Sequence, residues 1–377
     1  MRIVRIEATE VIVPARSGTI NSPDLNRPLH KLASHGQPAW TRQFDELPKL
    51  LLTMRWDDGT VGYGECYRDH DWRTVATVAE SLLGKAEEEL TLQALPIGRC
   101  REYDGFECAI WDSVAKHHGL RVVDLLGGAV RERVRVGAWS GHRTTGEVGA
   151  LAERMAAAGY DCLKFKCDLE DDVVGWCREV ARAAPGMQVI LDPNERWESP
   201  HHARRRLLAL AEVGNVLCVE DPIPRWRLDE YRELRAVSDI PIVLHVSIPY
   251  FEHGQRVQDA IAALTSRAVD GFNFNAGAAA FQQLDHVAAA AQLPCWHGSE
   301  IDLGILEAMY LHSCAAAGSC DWPSDIFGRL IRTHDLLQEP LRIEPPYAFL
   351  PSGPGLGVTL DMEAVLAHCT RDEVFEP

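Results

Sequence analysis

Two periodicities divide the chain. From Ile3 to Val13, and again over Leu50 to Trp56 and Thr60 to Glu65, polar and apolar residues alternate, and Asp58-Gly59 supplies a tight turn inside the second pair. This predicts an antiparallel meander. Between its first two strands, residues 14–48 hold Gly18, Pro23, Pro28, Gly36 and Pro38 among scattered His, Arg and Trp. A connection of that length is a lid or lacks order. From about Trp72 apolar residues recur at helical spacing, through Phe106-Glu107-Cys108-Ala109-Ile110-Trp111-Asp112 to Leu125-Leu126, where Gly127-Gly128 stops the helix. After Arg133 the pattern becomes short β-rich runs at 134–139, 162–166, 188–191, 216–219, 242–245, 270–275 and 294–297, each followed by an amphipathic helix. Such alternation means parallel strands with crossover helices. Successive strand ends lie 22 to 30 residues apart. Six near-equal steps between seven strands suit a closed barrel. A doubly wound open sheet is the alternative, but Trp139-Ser140-Gly141-His142-Arg143 after the first strand is no glycine-rich phosphate turn.

Composition changes this picture little. The 377 residues exceed what one hydrophobic core accommodates, which predicts more than one structural unit. A formal charge of −17 argues against nucleic acid or anionic membrane as partner. Charges interrupt every apolar run of the N-terminus and no run reaches spanning length, so a cytoplasmic protein is expected. The eleven cysteines form no C-x-x-C pair and read as reduced, buried, small apolar residues.

In a barrel, chemistry sits at the C-terminal strand ends. The second strand ends Leu163-Lys164-Phe165-Lys166, whose alternation puts both lysines on one face. Their mutual repulsion and partial desolvation predict a lowered pKa and a base near neutral pH; the alternative is a pair of snorkelling surface lysines. The third and fourth strands end in Asp192-Pro193-Asn194 and Glu220-Asp221-Pro222. Either acid alone would read as a helix cap, but together they offer oxygen ligands to a divalent cation. The fifth strand ends in His245-Val246-Ser247, the sixth carries Asn273 and Asn275, and the seventh ends in His297-Gly298-Ser299-Glu300. His297 is either a satisfied structural residue or an acid–base group facing Lys166. His117-His118 and His201-His202 lie on predicted helices or their edges and read as solvated or capping.

These stretches resemble the mandelate racemase and muconate lactonizing branch of the enolase superfamily over nearly the whole chain. The resemblance rests on Glu107 to Gly128, Lys164-x-Lys166, Asp192-x-Asn194, Glu220-Asp221-Pro222, and Pro354-Gly355-Leu356-Gly357-Val358 with Asp361. It implies an α/β fold, a modified TIM barrel (β/α)7β with an N-terminal α+β capping domain. The expected units are a cap over 1–130, a barrel over 131–335, and a segment over 336–377 that returns to the cap. Residues 15–47 take the place of the family's cap loop. The resemblance further implies a homo-oligomer acting on a small carboxylate, with Asp192 and Glu220 as metal ligands. Mg²⁺ is the expected ion; His245 stands where relatives carry the third acid and is the candidate third ligand, which makes Mn²⁺ or Zn²⁺ the alternatives. Ala278 replaces a second lysine of some relatives and Asn275 an aspartate, while Asp325 resembles the eighth-strand acid. Ser140, His142, Asn194, Asn275 and Asp325 are the candidate substrate contacts.

The reaction implied is removal of an α-proton by Lys166, with Lys164 stabilising the enediolate and His297 protonating a departing β-hydroxyl: dehydration of a hydroxy acid or acid sugar. The alternative is a racemase or epimerase, with Lys166 and His297 on opposite faces. Of a different class is a barrel that has lost its third ligand and only binds an acid.

Overall fold

The alternating first segment forms three antiparallel strands, β1 (Ile3–Val11), β2 (Lys49–Trp56) and β3 (Val61–Cys66). The computed structural model describes residues 1–25, 28–37, 39, 47–248 and 256–377, so positions 26, 27, 38 and 40–46 of the 15–47 loop lie outside the described residues. Leu50, Leu52 and Met54 of β2 join one core cluster with the helix Tyr103–His117. Leu51 faces the other way and joins the barrel's core. That helix is buried on nearly every side because it is wedged between sheet and barrel. Gly64 makes the wedge tight: a Cβ there would lie 2.2 Å from the Gly105 carbonyl oxygen. Gly127 and Gly128, at φ of +104° and +102°, end the helical region as expected.

The expected strand over 134–139 is two strands, β4 (Arg133–Arg135) and β5 (Ala138–Ser140). Only β5 enters the barrel. Seven parallel strands then follow in sequence order: β5, β6 (Cys162–Lys166), β7 (Gln188–Asp192), β8 (Val216–Glu220), β9 (Ile242–Ser247), β10 (Gly271–Asn275) and β11 (Cys295–His297). The sheet closes through residues 319–325, which form no regular strand. Cys295 N–H donates to Ser319 O (2.8 Å) and Asp325 N–H to His297 O (2.8 Å) on one side, and Ser324 N–H donates to Arg135 O (2.8 Å) on the other. Strands β12 (Ile343–Glu344) and β13 (Tyr347–Phe349) form a small sheet with β4, which is why β4 leaves the barrel. The last strand, β14 (Cys369–Phe375), pairs with β1, so both chain ends share the cap sheet. All eleven cysteines are unpaired, and only Cys100 and Cys369 are partly exposed. Among the described residues no helix is long and apolar enough to cross a membrane.

Buried carboxylates join cap to barrel. Glu65 at the end of β3 accepts hydrogen bonds from Leu303 N–H (2.8 Å) and Leu306 N–H (3.1 Å), satisfying the first turn of the barrel helix Gly304–Ala316 in place of a local cap. Asp112 accepts from Tyr63 N–H on β3 and from Leu356 N–H of the C-terminal segment. Lys49 on β2 pairs with both Glu65 (3.3 Å) and Asp302, and Tyr310 OH donates to Asp302.

Lys49→Met is expected to leave two buried acids without their cation and to destabilise the fold by about 3–5 kcal/mol at neutral pH. Burial already holds Glu65 above the usual glutamate value, against the pull of Lys49. A carboxyl raised in the folded state loses stability as pH rises through its folded pKa, so the deficit should be small near about pH 4 and full at neutrality. Urea unfolding of both proteins at the two pH values checks this. An equal deficit at both would remove the electrostatic explanation.

Candidate active site

Strand alternation determines which side chains share the barrel interior. Cys162, Ile190, Cys218, Val243 and Trp296 form its apolar floor. Two residues further along β6, β7, β8 and β9, toward the C-terminal ends, the same inward face brings Lys164, Asp192, Glu220 and His245 together. Lys164 Nζ lies 2.7 Å from Glu220, 2.9 Å from Asp325, 3.4 Å from Asp192, and 5.5 Å above the Trp296 ring. Lys166 Nζ, one step nearer the mouth, donates to Asp192 (2.5 Å) and to Asn194 Oδ1 (2.7 Å). Asn273 on β10 donates to Glu220 Oε1 (2.8 Å).

The charges of this cluster balance one another. Burial disfavours the Lys164 ammonium, but Asp325, Glu220 and Asp192 outweigh it and hold the group well above the usual lysine range. The lowering expected from two adjacent lysines is overturned for Lys164, because three carboxylates surround it. Burial pushes the Glu220 carboxyl up to about 8, with Asp192 adding repulsion. Asp192 is buried too, yet Lys166 and Lys164 hold it far below the usual aspartate value. Burial, with Arg225 and Lys164 nearby, pushes His245 well below the usual imidazole value and keeps its ring neutral.

The donors suit a divalent cation. His245 Nδ1 lies 3.4 Å from Glu220, and its buried Nε2 has no hydrogen-bond partner. Ligand atoms of Glu220, Asp221 and His245 fall within 4.8 Å of one another. Asp221 is already engaged by Arg225 (2.6 Å) and by His245 N–H (2.9 Å), while Asp192 and Glu220 face each other across the Lys164 ammonium. Two carboxylates and a neutral imidazole are a sound ligand set for a borderline or hard divalent ion.

Asn194 and Asp325 line the cavity at the barrel mouth together with Lys164, Lys166, Glu220 and His245. Ser140, Asn275 and His297 do not. On β11 it is Trp296 that points inward, so His297 points out among the helices, stacked between Phe281 (4.5 Å) and Tyr310 (3.8 Å). Its nitrogens meet the carbonyls of Gly298 (2.7 Å) and Ala276 (3.1 Å). On β5 Trp139 takes the cavity side, and Ser140 Oγ instead accepts from Arg143 Nε (2.6 Å). Arg143 in turn donates to the Thr19 carbonyl and so steadies the cap loop. Asn275 accepts from Tyr67 OH of the cap (3.2 Å). His142 is buried beneath the same loop and donates from Nδ1 to Asp171 (2.6 Å).

Several lining residues escaped the strand-end reading. Glu300, Arg196 and Arg225 stand three to five residues past a strand end, in loops that turn back over the mouth. Arg68 and His30 come from the cap. Glu300 Oε2 accepts from Arg101 (2.7 Å) and pairs with Arg68 (3.4 Å), while its buried Oε1 has no hydrogen-bond partner.

Comparison with known proteins agrees with this architecture. The chain is 29% identical to muconate cycloisomerase 1 of Rhodococcus opacus, over 97% of this chain and 98% of that protein. It is 27% identical to D-galactarolactone cycloisomerase of Agrobacterium fabrum, over 89% and 95% of the two chains. The fold of N-succinyl Arg/Lys racemase from Bacillus cereus superposes over the full length of both chains with a TM-score of 0.83, at 19% identity. Residues 147–365, more than half of the chain, match the family described as enolase C-terminal domain-like. The closed barrel under a two-ended cap, the paired lysines facing paired acids and these relatives together make the chain an enzyme of that family, in the mandelate racemase and muconate lactonizing branch of the enolase superfamily.

Proposed function

We propose that the protein removes the proton next to the carboxylate of a small organic acid and then expels a β-oxygen substituent, with Lys166 as base. The carrying observation is that Lys166 reaches the cavity from one face while His297, the imidazole expected to face it, is turned out of the cavity. In its neutral form Lys166 accepts the α-proton. The Lys164 ammonium, held charged by its three carboxylates, donates to the oxygen on which negative charge develops. The electron pair left at Cα becomes the Cα=Cβ bond as the Cβ–O bond breaks. A divalent ion on Asp192, Glu220 and His245 would supply Lewis-acid polarisation of the substrate carboxylate.

The far face decides between outcomes. Racemisation requires a second base there, and His297 is turned away. A carboxylate leaving group tethered within a lactone departs without being protonated, so ring opening, and its reverse, needs only the lysine face. Cycloisomerases are among the relatives, and Arg68, Arg196 and Arg225 give the lining the positive charge a second carboxylate needs. Dehydration of a hydroxy acid is the second reading. It is favoured by Glu300, whose unpartnered oxygen lies in the same cavity wall where His297 had been expected to serve.

Lys166→Ala is expected to slow exchange of the substrate α-hydrogen with D₂O by about 10²–10⁴-fold without unfolding the protein. NMR with a panel of lactones and hydroxy acids measures this, and the product shows whether ring opening or loss of water follows. Near wild-type exchange in the variant would end the assignment of Lys166.

His245→Asp is expected to tighten Mg²⁺ about tenfold or more, because a third carboxylate suits a hard ion better than imidazole. Calorimetric Mg²⁺ titration of both proteins reads this out. Absence of binding by either, even with substrate present, would leave acid binding without metal-assisted chemistry.

A further inference from the structure

Beside the mouth lies a second group of ligating side chains that the chemistry above does not use. His30 comes from the cap loop, His142 follows β5 and Asp168 follows β6. All three are buried, and their ligand atoms lie within 4.8 Å of one another. None belongs to the Asp192, Glu220 and His245 set.

The hydrogen bonds around these residues orient lone pairs toward one point. As an ammonium Lys166 can only donate, so the Asn194 atom it contacts is then the carbonyl oxygen. His30 Nε2, 3.1 Å from that oxygen, must therefore carry a hydrogen. With that hydrogen on Nε2, the neutral ring leaves Nδ1 its lone pair. That nitrogen lies 3.3 Å from Asp168 Oδ1, an acceptor facing an acceptor. His142 has the same polarity: Nδ1 donates to Asp171 (2.6 Å), and Nε2 is left buried, without a hydrogen-bond partner, 4.0 Å from Asp168 Oδ2. Arg196 Nε is 3.6 Å from Asp168, and its own hydrogen bond goes to Leu32 O (2.8 Å).

We propose that His30 Nδ1, His142 Nε2 and Asp168 form a second divalent-metal site, of a kind that takes Zn²⁺, which clamps the cap loop to the barrel. Two imidazoles and a carboxylate are a zinc-type donor set. Tetrahedral bonds of 2.0–2.1 Å space ligand atoms about 3.3 Å apart, so closing the 4.0 Å gap needs a shift well under about 1 Å. Partners that would orient the two rings are already in place, since Asp171 and Asn194 each hold the far ring nitrogen of one histidine. Asp168 Oδ2 also accepts from Lys31 and Leu32 N–H, which fixes the carboxylate against the loop. His30 borders the mouth cavity, which gives an ion its path in.

The test uses chelator-stripped full-length protein carrying Glu220→Gln, which disables the site at the mouth. Zn²⁺ is titrated against a competing chromophoric chelator, bound zinc is counted by mass spectrometry, and hydrogen exchange follows residues 28–37. One tightly bound Zn²⁺ per chain is expected, with slower exchange in that segment. Adding His142→Ala should weaken binding by at least about 100-fold, and Asp171→Asn, a milder change should the first misfold, by about 10–100-fold. Failure of folded Glu220→Gln protein to bind zinc, or affinities unchanged within about threefold in the added variants, would overturn the proposal.

Discussion

An ammonium group buried on a barrel axis dictates much of this molecule. Lys164 is carried on β6, yet the carboxylates that make its charge tolerable come from β7, from β8 and from the segment that closes the barrel. A buried charge that loses its partners costs several kcal/mol, so these four pieces of chain have to meet at one depth. The same constraint recurs at the joint with the cap, where Lys49 sits between Glu65 and Asp302. Apolar packing explains why there are two cores; the ion clusters explain how they are registered against each other.

That registration also makes the site one-sided. Lys164, Lys166, Asp192 and Glu220 come from the neighbouring strands β6, β7 and β8, and Trp139, Phe327, Ile301 and Glu300 line the rest of the cavity with them. In the proposed reaction a proton is handled on one face of the substrate while the other face is left to binding and exclusion of water. A cycloisomerase is among the relatives and a racemase shares the fold at 19% identity, so the fold alone does not decide which reaction it carries.

The lysines and acids were legible because five-residue strands such as β6 and β7 show enough alternation to tell inside from outside. The three-residue strands β5 and β11 do not. In each, a tryptophan takes the inward place, and a polar neighbour that reads as a site residue turns outward. His297 and Ser140 were misplaced by that single step. Asn275 has the right parity but lies at the strand's end, where Tyr67 of the cap claims it. Contributions from the cap, His30 and Arg68 among them, depend on docking between distant segments and leave no local pattern. The split of 134–139 had the same origin, since β4 is drawn off by β13, more than two hundred residues later.

Asn194 has a consequence of its own. Held at a φ of +44°, it offers one oxygen to two donors, Lys166 on the barrel and His30 on the cap loop. Loop seating and the orientation of the Lys166 amine, the proposed base, are therefore not independent variables. Whatever draws the loop down also helps to aim the amine, and by reciprocity a ligand that engages the amine favours the seated loop. Binding energy gathered at the substrate's distal end can thus be converted into alignment at its reacting carbon, which ties selectivity to turnover through a single amide.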